Sequence, residues 1–161
     1  MAALRPFLFD CRWVGTVKAG GMGPGSPAMQ AAGKAVFQPL IDGAWLAGDF
    51  EQDQFVAGEK LITWKAHYVV GWDARAGEYR VTYVDSNGSA SLLRGYIEGD
   101  RFINELAGEQ PVRLRLVWER DDAGRVTWRN ERAVAGGPWI LVEEYVCTPL
   151  EASVVPAAGK G

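Results

Sequence analysis

Histidine and cysteine are nearly missing from this chain, with one His and two Cys in 161 residues. A multi-ligand metal centre needs more imidazole and thiolate donors than that, and the two cysteines form no Cys-x-x-Cys pair. Basic residues are in deficit too: 17 Lys and Arg stand against 20 Asp and Glu, and a net charge of −3 is the wrong sign for gripping a phosphate backbone. No apolar run approaches the roughly 20 residues of a membrane span, and Asp10, Cys11 and Arg12 interrupt the apolar start before a secretory leader could form. The expectation is a cytoplasmic protein with no nucleic-acid or membrane partner, no metal and no cofactor. Cys11 and Cys147 then pack as reduced, buried thiols. A convincing run of helical periodicity is also missing, so an α-helical or α/β fold has nothing to build on.

Alternation of period two is present instead. From Leu61 to Ser91 the chain reads strand, turn, strand, tight turn, strand. Lys65 and Arg80 seek water, which turns Ile62, Trp64, Ala66, Tyr68 and Val70 inward on one strand and Tyr79, Val81 and Tyr83 inward on the next. Asn87-Gly88 offers the two positive-φ residues of a two-residue hairpin turn. Ahead of this stretch, strands are expected over residues 11–18, 28–38 and 44–56, with Pro39 ending the second; the Gly- and Pro-rich segment 20–27 is a loop. That segment lacks the following Gly-Lys-Ser/Thr of a phosphate cradle. After it come strands over 89–98 and 101–106, then the cleanest alternation in the chain, Val112, Leu114, Leu116 and Trp118 against Arg113, Arg115 and Glu119. The ninth strand turns Val126, Trp128, Asn130 and Arg132 inward, and the last covers 139–148. Hairpin connections throughout favour closing the meander on itself, which removes its edges. The predicted fold is all-β: one antiparallel up-and-down barrel of about ten strands over residues 5–150, a short N-terminal helical turn or plug near residues 5–10, and a flexible tail at 151–161.

Strand 44–56 carries a second signal. Its inward phase, Leu46, Gly48, Phe50, Gln52 and Gln54, begins apolar and becomes polar, which suggests a cavity rather than a core filled throughout. The same phase argument brings Tyr68, Tyr83, Asn130, Arg132 and Glu143 to one lumen, with Trp64, Trp118 and Trp128 as flat walls. Large aromatic walls with a few convergent polar groups are the composition of a small-molecule pocket. The candidate ligand-binding residues are therefore Gln52, Trp64, Tyr68, Tyr83, Trp118, Trp128, Asn130, Arg132 and Glu143. A structural ion pair between Arg132 and Glu143 would equally explain those two. His67 is the one ordinary candidate for a general base at neutral pH, but it shares the outward phase of Lys65.

The segments Asp42-Gly43-Ala44-Trp45-Leu46 and Gly71-Trp72-Asp73, then Tyr79 and Asp85-Ser86, resemble a family of uncharacterised bacterial lipocalin-like domains in the calycin superfamily. The opening Trp13-x-Gly15 and the Gly/Pro loop after it are similar to the same group and to its nitrobindin-like relatives. The resemblance covers residues 7–148 and implies a barrel around a small-molecule cavity; it brings no shared activity. Nitrobindin-like barrels hold haem through a His near the C-terminus, whereas this chain has Glu143-Glu144-Tyr145-Val146-Cys147 there. Fatty-acid-binding barrels hold a carboxylate with an Arg-x-Tyr pair in the last strand, so an anionic head group here would fall to Arg132.

Three functions remain. The first is a carrier or sensor for a small hydrophobic or aromatic molecule. The second is an isomerase- or cyclase-type enzyme using the same cavity, with Glu143 or a reoriented His67 as base and Tyr83 or Arg132 stabilising an enolate or oxyanion. The third is a dry barrel that forms a homodimer or docks a partner. With no triad, metal cluster or nucleotide motif, binding is preferred and no catalytic residue is named.

Overall fold

A computed structural model describes residues 1–108 and 111–150. The predicted tail, 151–161, lies outside the described residues. Ten strands run in sequence order: β1 (Cys11–Val17), β2 (Met29–Leu40), β3 (Trp45–Val56), β4 (Glu59–Asp73), β5 (Glu78–Asp85), β6 (Ala90–Glu98), β7 (Arg101–Leu106), β8 (Val112–Arg120), β9 (Val126–Val134) and β10 (Ile140–Pro149). Each pairs antiparallel with its sequence neighbours, and β1 pairs with β10, so the sheet is a closed barrel with no free edge. Among the described residues, no helix is long and apolar enough to cross a membrane.

Alternation places the inward residues as the pattern predicts. Trp13, Ala31, Phe50, Tyr68, Val81, Leu93, Phe102, Trp118, Trp128 and Tyr145 form one interior cluster. The outer face is laced by charge pairs such as Arg115–Glu131 and the Arg80–Glu78–Arg94 ladder. Arg113 and Arg115 also lie over the Trp139 ring, at 4.7 and 4.3 Å from its centroid. Two interior glycines make room for the rings opposite them: a Cβ at Gly33 would stand 2.5 Å from the Trp13 ring, and one at Gly15 would stand 2.6 Å from that of Tyr145.

Three local expectations shift. The helical turn is a 3-10 turn at Ala2–Leu4 rather than near residues 5–10. Leu4, Phe7 and Leu8 are buried, and the Phe7 ring meets that of Phe102 at 6.3 Å, so this segment plugs the end of the barrel where β1 begins. Pro39 does not end β2, whose pairing continues through Pro39 opposite Leu46 to Leu40 opposite Trp45. Only Gly88 takes positive φ in the Asn87-Gly88 turn. Asp85 sets the geometry there, because its Oδ1 accepts the Asn87 and Ser89 backbone N–H groups, and the Asp85 carbonyl accepts that of Gly88. A two-residue turn with both central residues at positive φ occurs instead at Ala57-Gly58, between β3 and β4. Cys11 and Cys147 are free, buried thiols on the neighbouring strands β1 and β10.

Candidate functional site

The two ends of the barrel differ. The end where β1 starts is plugged; the other, where β1 leads into the loop containing Gly21 and Met22, opens into a cavity of about 480 Å³. Its walls are Trp64 and Tyr83, ring centroids 6.4 Å apart and stacked, with Leu114 and Leu116 facing them from β8. Its floor is Trp128, which stacks on Tyr145 at 4.8 Å and on Trp118 at 5.9 Å. Trp128 therefore separates the hollow half of the interior from the packed half.

Seven of the nine predicted site residues line this cavity: Gln52, Trp64, Tyr83, Trp128, Asn130, Arg132 and Glu143. Tyr68 and Trp118 do not. Both face the interior, but on the plugged side of Trp128, where the Tyr68 ring packs against Phe50 and Trp118, and Trp118 also packs against Phe102. Alternation fixes which face a residue takes and says nothing of its height along the barrel, so the two were indistinguishable from lumen residues. His67 points outward, with its Nδ1 2.7 Å from Asp49 Oδ1 on the exposed face.

The polar groups of the floor form a hydrogen-bonded chain whose direction follows from chemistry. The Trp13 indole can only donate, and it donates to Gln52 Oε1 at 2.8 Å. Gln52 Nε2 is thereby turned toward Tyr145 and donates to its hydroxyl oxygen at 3.1 Å. The Tyr145 hydroxyl donates in turn to Glu143 Oε2, and Asn130 Nδ2 donates to Glu143 Oε1 at 3.0 Å. Glu143 is the terminus of this chain. Burial raises its pKa above the ordinary carboxylate value, and the bonds from Tyr145 and Asn130 offset only part of that. The ion pair with Arg132 is not formed; among the described residues Arg132 has no carboxylate within salt-bridge distance. β10 bulges between Leu141 and Glu143, setting Val142 as well as Glu143 against the lumen.

Two groups of the site were missed as candidates. Asp85 lines the mouth and accepts the Tyr83 hydroxyl at 2.7 Å and the Trp64 indole N–H at 3.3 Å. Burial works against its charge, but those donors and the Ser89 and Asn87 backbone N–H groups outweigh it and hold its pKa below the ordinary value. Its in-phase spacing from Tyr83 was the available signal, overshadowed by its role in the turn. Tyr145 shares the phase of Glu143, and its position beneath the floor follows only from the barrel's closure. Among the described residues no group of three or more His, Cys, Asp or Glu side chains could hold a metal ion.

The fold and its lumen define a class: a ten-stranded antiparallel barrel, plugged at one end and hollow at the other. The chain belongs to the family described as "Protein of unknown function (DUF1579)", whose pattern matches residues 9–140. It is similar in structure to Rv2717c from M. tuberculosis, with a TM-score of 0.65 and 16% identity over 92% of this chain and 96% of that one, a likeness of fold alone. No curated protein matches the chain.

Proposed function

We propose that this barrel binds a small hydrophobic or aromatic molecule in the hollow half of its lumen. The observation that carries the reading is the cavity itself: about 480 Å³, walled by Trp64, Tyr83 and Trp128, with Gln52 and Gln54 each only 2% exposed at its inner surface. Volumes of a few hundred Å³ suit a drug-sized ligand, and buried polar groups amid aromatic walls orient one. The motif resemblance to calycin barrels supports the same reading. Native mass spectrometry of the protein as purified and after incubation with small aromatic compounds is the test. A one-to-one adduct that is lost when Leu116→Trp fills the cavity is expected; an adduct that survives this change, in a variant with an unaltered melting transition, places the ligand elsewhere and removes the reading.

A second reading, acid–base catalysis by Glu143, is favoured by one observation. Glu143 is not neutralised by Arg132, and its raised pKa suits a proton donor and acceptor nearer neutrality. Chromatography of the released ligand separates the readings: a carrier releases the compound it took up, whereas an enzyme releases an altered one, an isomer of equal mass included, and Glu143→Gln abolishes the change.

A further inference from the structure

The hydrogen-bond inventory of the floor narrows the ligand's chemistry. Because the Trp13 indole has no acceptor, the orientation of Gln52 is fixed, and with it the direction of the Tyr145 hydroxyl toward Glu143. Because a carboxylate only accepts, the Asn130 amide is fixed as well, Nδ2 toward Glu143 and Oδ1 away from it. Asn130 Oδ1 is buried without a partner, and so is Gln54 Oε1 on the same cavity. Glu143 retains a lone pair on each oxygen beyond the two bonds it accepts. Asn130 and Glu143 offer this part of the lumen acceptors and no free donor.

Charge points the same way. Two carboxylates, Asp85 and Glu143, face the lumen against one guanidinium, that of Arg132. Arg132 stands two residues beyond Asn130 along β9, toward the mouth, where it leaves the floor to Glu143. Among the residues lining the cavity, one buried donor also stays without a partner, the Trp128 indole N–H. It serves an acceptor atom on the ligand's body and does nothing for the orphaned acceptors. A ligand that brings N–H or O–H groups to those acceptors gains hydrogen bonds there. The aromatic rings of Trp64 and Tyr83 attract positive charge as well as apolar surface.

Resting on the reading of the lumen as a ligand pocket, we propose that its ligand is a protonated amine on an aromatic or apolar body, seated with the ammonium against Glu143 and Asn130 Oδ1. An ammonium supplies three donors and no acceptor, the complement of this floor. The body lies between Trp64, Tyr83 and Trp128, and Arg132 remains at the mouth for an acceptor or anionic group at the far end.

Three probes that share an indole body separate the possibilities: tryptamine, which carries an ammonium; tryptophol, a neutral hydroxyl of nearly the same shape; and indole-3-acetate, an anion. Titration calorimetry at pH 7 is expected to rank tryptamine about tenfold or more above tryptophol, with indole-3-acetate weakest. In Glu143→Gln the preference for tryptamine over tryptophol should shrink to about twofold or less while tryptophol binding is retained. Equal affinity for tryptamine and tryptophol, a lead for indole-3-acetate, or an undiminished preference in Glu143→Gln overturns the amine and leaves the pocket. Failure of all three to bind overturns the pocket and the amine together. The ranking on the unaltered chain decides the matter even if Glu143→Gln does not fold.

Discussion

On one side of Trp128 the interior is a packed aromatic core; on the other it is a hollow lined by amides, carboxylates and two aromatic walls. The packed side is built by Phe7, Phe50, Tyr68, Phe102 and Trp118, whose rings meet at centroid distances of 5.9 to 6.3 Å. Only the hollow side places Gln54, Asn130 and Glu143 around open space. The two halves share one barrel and one alternation of residues, so what separates them is composition at a given height: rings of complementary size on one side, polar side chains with fewer neighbours on the other. Stability resides in the first half, and the second holds the site proposed for recognition.

The comparison breaks most readily at Phe102, which is fully buried. Phe102→Ala should cost about 3–5 kcal/mol by opening a void under Tyr79 and Trp118, read as a drop in the denaturation midpoint. Gln52→Leu attacks the link between halves. It strands the Trp13 N–H and removes the donor that the Tyr145 hydroxyl oxygen accepts, at a cost of about 1–3 kcal/mol, read as a lower denaturation midpoint, while Tyr145 still donates to Glu143. Glu143→Gln should act with the opposite sign on stability. Burial places the carboxyl's folded pKa above its unfolded one, so the folded chain holds this proton more tightly; the site's contribution is complete below the unfolded pKa and is lost as pH rises through the folded value. The glutamine variant should therefore match the parent near pH 4 and melt at higher temperature than the parent at pH 8. Leu114→Ala on the lumen wall should cost about 1 kcal/mol or less, since one side of that residue already faces open space. Arg132→Ala at the mouth should change stability by no more than about 0.5 kcal/mol.

The same contrast explains what could be read from the sequence. Alternation and hairpin signals gave the strand count, the closure and the inward face of nearly every strand, because a side-chain period of two is a local property. The gradient along β3 from Leu46 to Gln54 marked the polar end of the lumen, and that is where the cavity lies. Height along the barrel depends on how strands stagger across the sheet, which no single strand encodes; Tyr68 and Trp118 were placed with the lumen residues for that reason. The partner of Glu143 was illegible on similar grounds. Arg132 is its neighbour across the hairpin in sequence, yet the bulge at Val142 and the closure of β1 on β10 hand the carboxylate to Asn130 and to Tyr145, itself fixed by Gln52 from three strands away. The Asn87-Gly88 turn followed Asp85 rather than the dipeptide because a side-chain acceptor that caps two backbone N–H groups outweighs an asparagine's tolerance of positive φ.

The most direct test follows the seven tryptophan indole N–H signals by heteronuclear NMR of the isotopically labelled chain during titration with unlabelled tryptamine. Trp64 and Trp128 border the hollow, Trp118 lies in the packed half, Trp72 stands half-exposed at the rim of the plugged end against Tyr79, and Trp139 lies under Arg113 and Arg115 on the outer face. Saturable shifts at Trp64 and Trp128, with Trp72, Trp118 and Trp139 unmoved, are the predicted result. Shifts confined to Trp72 or Trp139, or none at any indole at millimolar tryptamine, would contradict the account, because the hollow half would then not be a binding site.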